Sequence, residues 1–321
     1  MDYRTSEGQK KLAGFFGLVR IEELGNGVYP HEETHSKPKT DRLNLMTACR
    51  ANTSPIFSIY NSAEKKASAV VKKALEAKPY MKAEDLNGET HRLWVVDKEE
   101  DVIAIKEDMK NRDIFIADGH HRYETALEYQ RIMRERHGRS TSSGPYDYVL
   151  MFLANIADGD ITILPTHRIV RFVRQNTLET LSGHFEIETI PVESDIIKTM
   201  KGKSQTFGYY HKGDAKKYLL RYKGNGMESL HPALRGLDVT ILHELIFKEL
   251  KVSKILYEMD ASTAIEKVRD SDYDAAFFLN PTKVEDVERV ALSAMRMPPK
   301  STYFYPKVMT GFIINSLESS A

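Results

Sequence analysis

The sequence predicts a mixed α/β protein, on three observations. Short apolar runs of strand length recur along the chain, among them FFGLVRI (15–21), PIFSIY (55–60), DIFIA (113–117) and AAFFL (275–279). Segments of good helix formers with apolar residues three to four apart lie between them, as in SAEKKASAVVKKALEAK (62–78). Glycine, proline and polar clusters punctuate the two kinds of segment. Strands and helices intermixed in this way give a mixed α/β class with antiparallel pairs in both halves.

The elements follow in order. Residues 1–12 are polar and are expected to fray. Residues 15–21 read as a strand, and 25–42 (GNGVYPHEETHSKPKTDR), with two Gly and two Pro, as loop. A short helix is expected at about 41–50, a strand at 55–60, and a helix at 62–78 that Pro79 stops. Residues 91–96 (HRLWVV) read as a strand carrying a core Trp94, and 97–111 as a helix with an acidic first turn. The strand 113–117 runs straight into a Gly turn and a further helix. RERHGRSTSSGP (134–145) is the expected linker, which gives domains at 1–140 and 146–321. In the second, 148–154, 161–164, 185–190, 206–210, 218–222 and 275–279 read as strands, and 237–251, 262–270 and 284–295 as helices. A length of 321 residues fits about two domains.

Lys plus Arg number 46 and Asp plus Glu 46, so the formal charge is zero. Nucleic acid or an anionic membrane as the main partner calls for a basic excess, so neither is expected. The one cysteine, Cys49, excludes an intramolecular disulfide and a multi-cysteine metal site, and it reads as a small buried residue. No run approaches 18 apolar residues and the first residues hold no apolar signal core, so a soluble cytoplasmic protein is expected.

Four segments can carry chemistry. In Ala117-Asp118-Gly119-His120-His121-Arg122 a strand ends, a glycine turns the chain, and a helix opens with two His and an Arg. Free N–H groups and the positive dipole end favour an anion there. Cations in a first turn oppose the dipole, a conflict that a bound phosphate resolves; without one the segment is a solvated turn. His31-Glu32-Glu33-Thr34-His35 matches the zinc pattern H-E-x-x-H, which works only on a helix, and Pro30 and Pro38 flank it. Its carboxylates, Glu32 or Glu33, can instead act as a general base or a magnesium ligand. Thr166-His167-Arg168 ends a strand in the second half and offers a hydroxyl and two cationic donors to a phosphate or carboxylate. Ser36-Lys37-Pro38-Lys39 with Arg42, and Arg50-Ala51-Asn52-Thr53-Ser54, form a basic, hydroxyl-rich stretch. Near the end, MPPKSTYFYPK (297–307) reads as an extended segment packed on the core.

At ADGHHRYETA (117–126) the chain resembles the family catalogued as "domain of unknown function" 1015. YPHEETHSKPKTDR, RANTSPIFSIY, IADGHHRYETALEY, ILPTHRIVRF, LDVTILHEL, FFLNPT and MPPKSTYFYPK resemble that family's blocks in order. The resemblance implies a ParB/sulfiredoxin-like N-terminal core, N-terminally short relative to the family, with a second α/β domain. Within that superfamily it is similar to free serine kinases. This implies Glu32 as base on a serine hydroxyl, Asp118 and His120 as catalytic, and Gly119, His120, His121 and Arg122 as the phosphate turn. It further implies Thr166, His167 and Arg168, with Arg50 and Asn52, as substrate-binding residues, and ATP (or ADP) with Mg²⁺ as cofactors. The expected activity is phosphorylation of free L-serine to O-phosphoserine. The rivals are a non-catalytic ParB-like nucleotide switch and, more remotely, a zinc hydrolase through His31 and His35. Sulfiredoxins carry a cysteine in the corresponding turn; His120 stands there, so peroxiredoxin repair is not implied.

Overall fold

The computed structural model describes residues 1–5, 8–33, 37–136, 144–173 and 176–318. It confirms the mixed α/β class. The chain divides into two compact units: Met1–Thr162 with Phe304–Ala321, and Ile163–Tyr303.

In chain order the first unit holds β1 (Asp2–Thr5), β2 (Gly8–Lys11), β3 (Phe15–Arg20), β4 (Val28–Tyr29), α1 (Lys37–Cys49), β5 (Ala51–Asn52), β6 (Ile56–Tyr60) and α2 (Lys66–Leu75). It continues with β7 (Met81–Glu84), β8 (Thr90–Leu93), α3 (Glu99–Met109), β9 (Ile114–Asp118), α4 (His120–Arg136) and β10 (Tyr148–Asn155). The central sheet runs β3-β10-β6-β9-β4. β6 and β10 are parallel, as are β4 and β9, whereas β3 with β10 and β6 with β9 are antiparallel. All five residues of β6 are buried, which explains its unbroken apolar character. Ile56, Tyr60, Ile114, Ile116, Tyr123, Ala126, Met151 and Leu153 form the core around it.

A second sheet, β2-β1-β8-β7, corrects the expectation of a frayed start. β1 and β2 pair from Asp2↔Lys11 to Thr5↔Gly8. Tyr3 and Leu12 are buried, and the Tyr3 and Thr162 hydroxyls share a hydrogen bond of 2.7 Å. Polar composition hid this hairpin because a half-buried strand needs few apolar residues on its inner face. The segment 25–42 is likewise not all loop: Val28 and Tyr29 pair with β9, and α1 begins at Lys37 rather than 41. Proline in a first helical turn is compatible with that start.

β11 (Thr162–Leu164) leads into the second unit. There follow β12 (His167–Phe172), α5 (Thr177–Leu181), β13 (Phe185–Pro191), α6 (Ile196–Met200), β14 (Thr206–His211), β15 (Lys216–Tyr222), α7 (Pro232–Arg235) and α8 (Asp238–Ile241). Next come α9 (Lys248–Leu250), β16 (Val252–Glu258), α10 (Ala261–Asp270), β17 (Ala275–Phe278) and α11 (Val284–Leu292); β18 (Tyr303–Tyr305) and β19 (Asn315–Ser316) close the chain. An antiparallel sheet of order β13-β15-β14-β17-β12-β16 dominates this unit. Ile169, Tyr210, Leu219 and Phe278 on the sheet pack with Ile196, Met200, Ala264 and Val268 of α6 and α10. The helix expected at 237–251 is interrupted between α8 and α9 by a π-helical turn, Leu242–Phe247.

The units differ from the expected 1–140 and 146–321 division. β10 is a central strand of the first unit's sheet, and residues from 304 onward return to that unit. The middle of the expected linker, 137–143, lies outside the described residues. Among the described residues no helix is long and apolar enough to cross a membrane.

Candidate active site at the β9–α4 turn

One glycine makes the turn. Gly119 has φ +106°, a conformation that L side chains rarely adopt. A Cβ there would also stand 2.8 Å from Arg122 Nε and 2.9 Å from its Cζ. The glycine therefore turns β9 into α4 and also lets the Arg122 guanidinium fold back over the turn. So folded, Nη1 donates to Ser54 Oγ at 2.8 Å and to the Pro55 carbonyl, and Nη2 donates to Asp118 Oδ2. The antiparallel register explains these partners: Phe57 lies opposite Asp118, so the chain entering β6 passes beside the turn.

Lys307 Nζ donates to the other Asp118 oxygen, Oδ1, at 2.7 Å. Its segment is fastened to the same loop: Thr310 Oγ1 donates to Ser54 Oγ at 3.1 Å and the Gly311 N–H to the Thr53 carbonyl at 2.9 Å. Burial alone would raise the Asp118 pKa, but Lys307, Arg122 and His120 outweigh it and hold it at about 2. Asp118 is thus ionised at any physiological pH. One carboxylate faces two cations, and the field of Arg42 also reaches Arg122.

The helix adds to this positive field. His120, His121 and Arg122 fill the first turn of α4, which contains no acid. The Tyr123 N–H bonds back to the Gly119 carbonyl at 3.0 Å, and the N–H groups before it have no intrahelical acceptor. Tyr123 fixes the turn from below: its hydroxyl donates to the Glu22 carbonyl at 2.7 Å and accepts from the Glu22 N–H at 3.0 Å. Burial pushes its pKa to about 12, so it stays a donor.

Because β4 runs parallel to β9, the chain leaving β4 emerges beside the same turn. The buried His31 donates its N–H to His120 Nε2 at 3.3 Å, and the two rings meet edge to face at 4.7 Å. Phe304 closes on His31 from another side at 6.1 Å. Glu32 is the next residue, half-buried, and Glu33 is exposed. Residues 31–33 are not helical, so His31 lacks the helical face that the H-E-x-x-H reading requires; Thr34 and His35 lie outside the described residues. The turn and its neighbours therefore combine cationic donors, the N-terminal end of a helix dipole and the carboxylate of Glu32 beyond a strand end. That arrangement can hold an anion and receive a proton next to it.

A family model described as "Protein of unknown function (DUF1015)" matches residues 1–240. The chain belongs to the DUF1015 family. No curated protein matches it. Among solved structures, a free serine kinase in complex with AMP is similar at 13% identity, over 94% of this chain and 92% of that one, with a TM-score of 0.46. A conserved hypothetical protein from Pyrococcus furiosus is similar at 13% identity, over 94% of each chain, with a TM-score of 0.44. SbnI with a C-terminal truncation, from Staphylococcus aureus, is similar at 12% identity, over 92% and 85%, with a TM-score of 0.46.

The other expected site residues of this DUF1015 chain have different surroundings. Asn52 is buried, and its Oδ1 accepts from the Leu150 N–H at 3.2 Å and from Asn315 Nδ2 at 3.0 Å. Arg50 is exposed and pairs with Glu318 at 3.2 Å. Cys49 is exposed, not buried, and Trp94 is half-buried rather than core, its Nε1 donating to the Ala77 carbonyl at 2.9 Å. A cavity of about 1110 Å³ in the first unit, lined by Phe15, Phe16, Leu75, Trp94 and Phe152, contains neither Glu32 nor any residue of the 118–122 turn.

In the second unit Thr166, His167 and Arg168 are all buried, and they do not end a strand as expected: His167 and Arg168 open β12. Arg168 Nη1 donates to the Thr166 carbonyl, Nη2 to the Lys300 carbonyl at 2.8 Å, and the guanidinium lies 5.6 Å from the Tyr257 ring centre. His167 Nδ1 accepts from the Leu279 N–H at 3.4 Å, and its ring packs on Phe278 at 5.1 Å. Burial, then Arg168, lowers its pKa to about 4, so it is neutral. Sequence reasoning missed Ser54, the Pro55 carbonyl and Lys307 as partners of the turn. Nothing in spacing links Lys307 to Asp118, 189 residues away.

Proposed function

We propose that this protein is a nucleotide-dependent phosphotransferase that moves a phosphoryl group to the hydroxyl of free L-serine. The observation that carries the reading is the Gly119 turn, where Arg122 and Lys307 converge on a permanently ionised Asp118 at a helix N-terminus. The resemblance to free serine kinases at Pro30-His31-Glu32, Asp118-Gly119-His120-His121-Arg122 and Thr166-His167-Arg168 supports the choice of acceptor. In this reading Gly119, His120, His121 and Arg122 hold the nucleotide phosphates, and Asp118 fixes the two cations. Glu32 takes the proton of the serine hydroxyl as the Oγ–P bond forms and the bond from phosphorus to the bridging oxygen of the donor breaks. With ATP as donor, ADP leaves; with ADP, AMP leaves. Catalysis then rests on positioning and charge neutralisation. The donor set fits a nucleotide phosphate, and Mg²⁺ would be held chiefly by phosphate oxygens, because Lys307 and Arg122 already engage Asp118. Arg50 and Asn52 are not assigned a substrate role: Arg50 pairs with Glu318 at the surface, and Asn52 joins the Leu150 and Asn315 segments. Thr166, His167 and Arg168 serve as positioning residues of the second unit's segment, in keeping with their burial.

The test is incubation of the full chain with ATP or ADP, Mg²⁺ and the twenty amino acids, with mass spectrometry of the products. O-phosphoserine is the expected product. Glu32→Gln should lower its formation by about 1000-fold while leaving nucleotide affinity within about twofold, the signature of a lost general base. Nucleotide binding or hydrolysis with no phosphoamino acid would overturn the kinase reading in favour of a switch.

A further inference from the structure

We infer that the β7–β8 hairpin carries a site for a divalent transition metal, formed by Asp85, Glu89 and His91. Among the described residues these three place one ligand atom each within 4.8 Å of the others. The hairpin geometry explains how. Glu84 pairs with Thr90 and Ala83 with His91, so Asp85 and Glu89 face each other as the strands close. Glu89 and His91 are two apart and so share one face. The Asp85 N–H donates to the Glu89 carbonyl at 3.0 Å, while Asp85 Oδ1 accepts the N–H groups of Asn87 and Glu89, both at 2.9 Å. These bonds fix Asp85 with Oδ2 turned to His91 Nε2, 3.4 Å away. Tetrahedral bonds of about 2.1 Å place neighbouring ligand atoms roughly 3.4 Å apart.

A second observation points to a ligand. Glu89 is 4% exposed and its Oε1 has no hydrogen-bond partner, while Tyr305 and Asp85 reach the same carboxyl, and burial with the charge of Asp85 raises its pKa. Among the described residues Asp85 pairs with His91, and the cationic groups whose field reaches Glu89 are His91 and the Met1 ammonium. Like charges directly opposite in a hairpin destabilise it, and a buried acceptor without a donor costs about 1–3 kcal/mol. A cation bound at the three atoms removes both penalties. One imidazole and two carboxylates suit zinc and its neighbours better than magnesium, which demands six oxygens in octahedral array. Asp85 keeps 22% of its side chain exposed, which gives the ion a way in.

The experiment uses the full chain stripped with a chelator, titrated with zinc and separately with magnesium against a chromogenic competitor. Expected are one tight zinc equivalent, no magnesium competition at equal concentration, and a higher unfolding temperature with zinc. Glu89→Gln and His91→Gln should each weaken zinc by roughly 100-fold and abolish the thermal shift. Asp118→Asn and His31→Gln should keep both, which separates this site from the β9–α4 turn. No zinc uptake by the native chain, or unchanged uptake by Glu89→Gln, overturns the assignment. If the variants fail to fold, zinc-edge X-ray absorption of the native chain decides: a shell of nitrogen and oxygen with one imidazole supports the site, and a sulfur-containing shell refutes it.

Discussion

Two segments of this chain share one vocabulary, a strand boundary with His and Arg, and the fold surrounds them in opposite ways. At residues 118–122 the arginine folds over a glycine onto a carboxylate, beside helix amides that have no partner within the helix. At 166–168 the arginine is 1% exposed, donates to two carbonyls of its own unit and stacks on a tyrosine, next to a neutral histidine. The difference lies in what surrounds the cation. A guanidinium beside a fixed carboxylate and a dipole end leaves a positive field at the turn, whereas one enclosed by carbonyls is spent on the fold.

The largest effect should separate the segments at once. Arg168→Met leaves the Thr166 and Lys300 carbonyls without their donor inside the second unit and should lower unfolding stability by about 3 kcal/mol. Urea unfolding measures it; intact stability with tenfold weaker nucleotide binding would erase the contrast. Acid should act on the same segment. Above pH 6.5 His167 is neutral in both states, and below it the unfolded chain takes up a proton that the folded state refuses until about pH 4. Stability should therefore fall across that window, by up to roughly 3 kcal/mol from His167, and His243, also lowered to about 4 by burial, adds to the loss. His167→Gln should flatten the profile measurably; an unchanged profile sinks the assignment.

At the turn, Gly119→Ala sets a Cβ against the Arg122 guanidinium at positive φ and should cost about 2 kcal/mol. By displacing Arg122 it should also raise the Asp118 pKa, which carboxyl NMR reads directly. A value still near 2 would mean that Lys307 alone suffices. The smallest effect belongs to Arg50, whose pair with Glu318 is solvated: Arg50→Ala should change stability by no more than about 0.5 kcal/mol and leave turnover alone.

Most of the fold was legible where burial is on both faces or where a long helix has its stripe, as in β6, β9, α4 and β17. Most misses were polar or short, with the exception of β12, whose first two residues look in sequence like the end of the preceding strand. β1, β2 and β16 carry charges on an exposed face, β4 is two residues long, and a periodic apolar pattern does not register a π-turn inside 237–251. Of the candidate site, the glycine turn was visible as a conflict between first-turn cations and the helix dipole, whereas the engagement of Asn52 by Leu150 and Asn315 and of Arg50 by Glu318 was not, because a list of residues does not show partners.

The sequence by itself determined the mixed α/β class, the glycine hinge at 119 and the order of the family's blocks, because backbone preference, apolar periodicity and block order are local or linear properties. Tertiary structure alone decided that Lys307 meets Asp118 across 189 residues, that Ser54 and Pro55 receive Arg122, and that Arg168 is enclosed. Those facts depend on strand register and on where the chain returns, and so they decide which cations face solvent and which are consumed inside the fold.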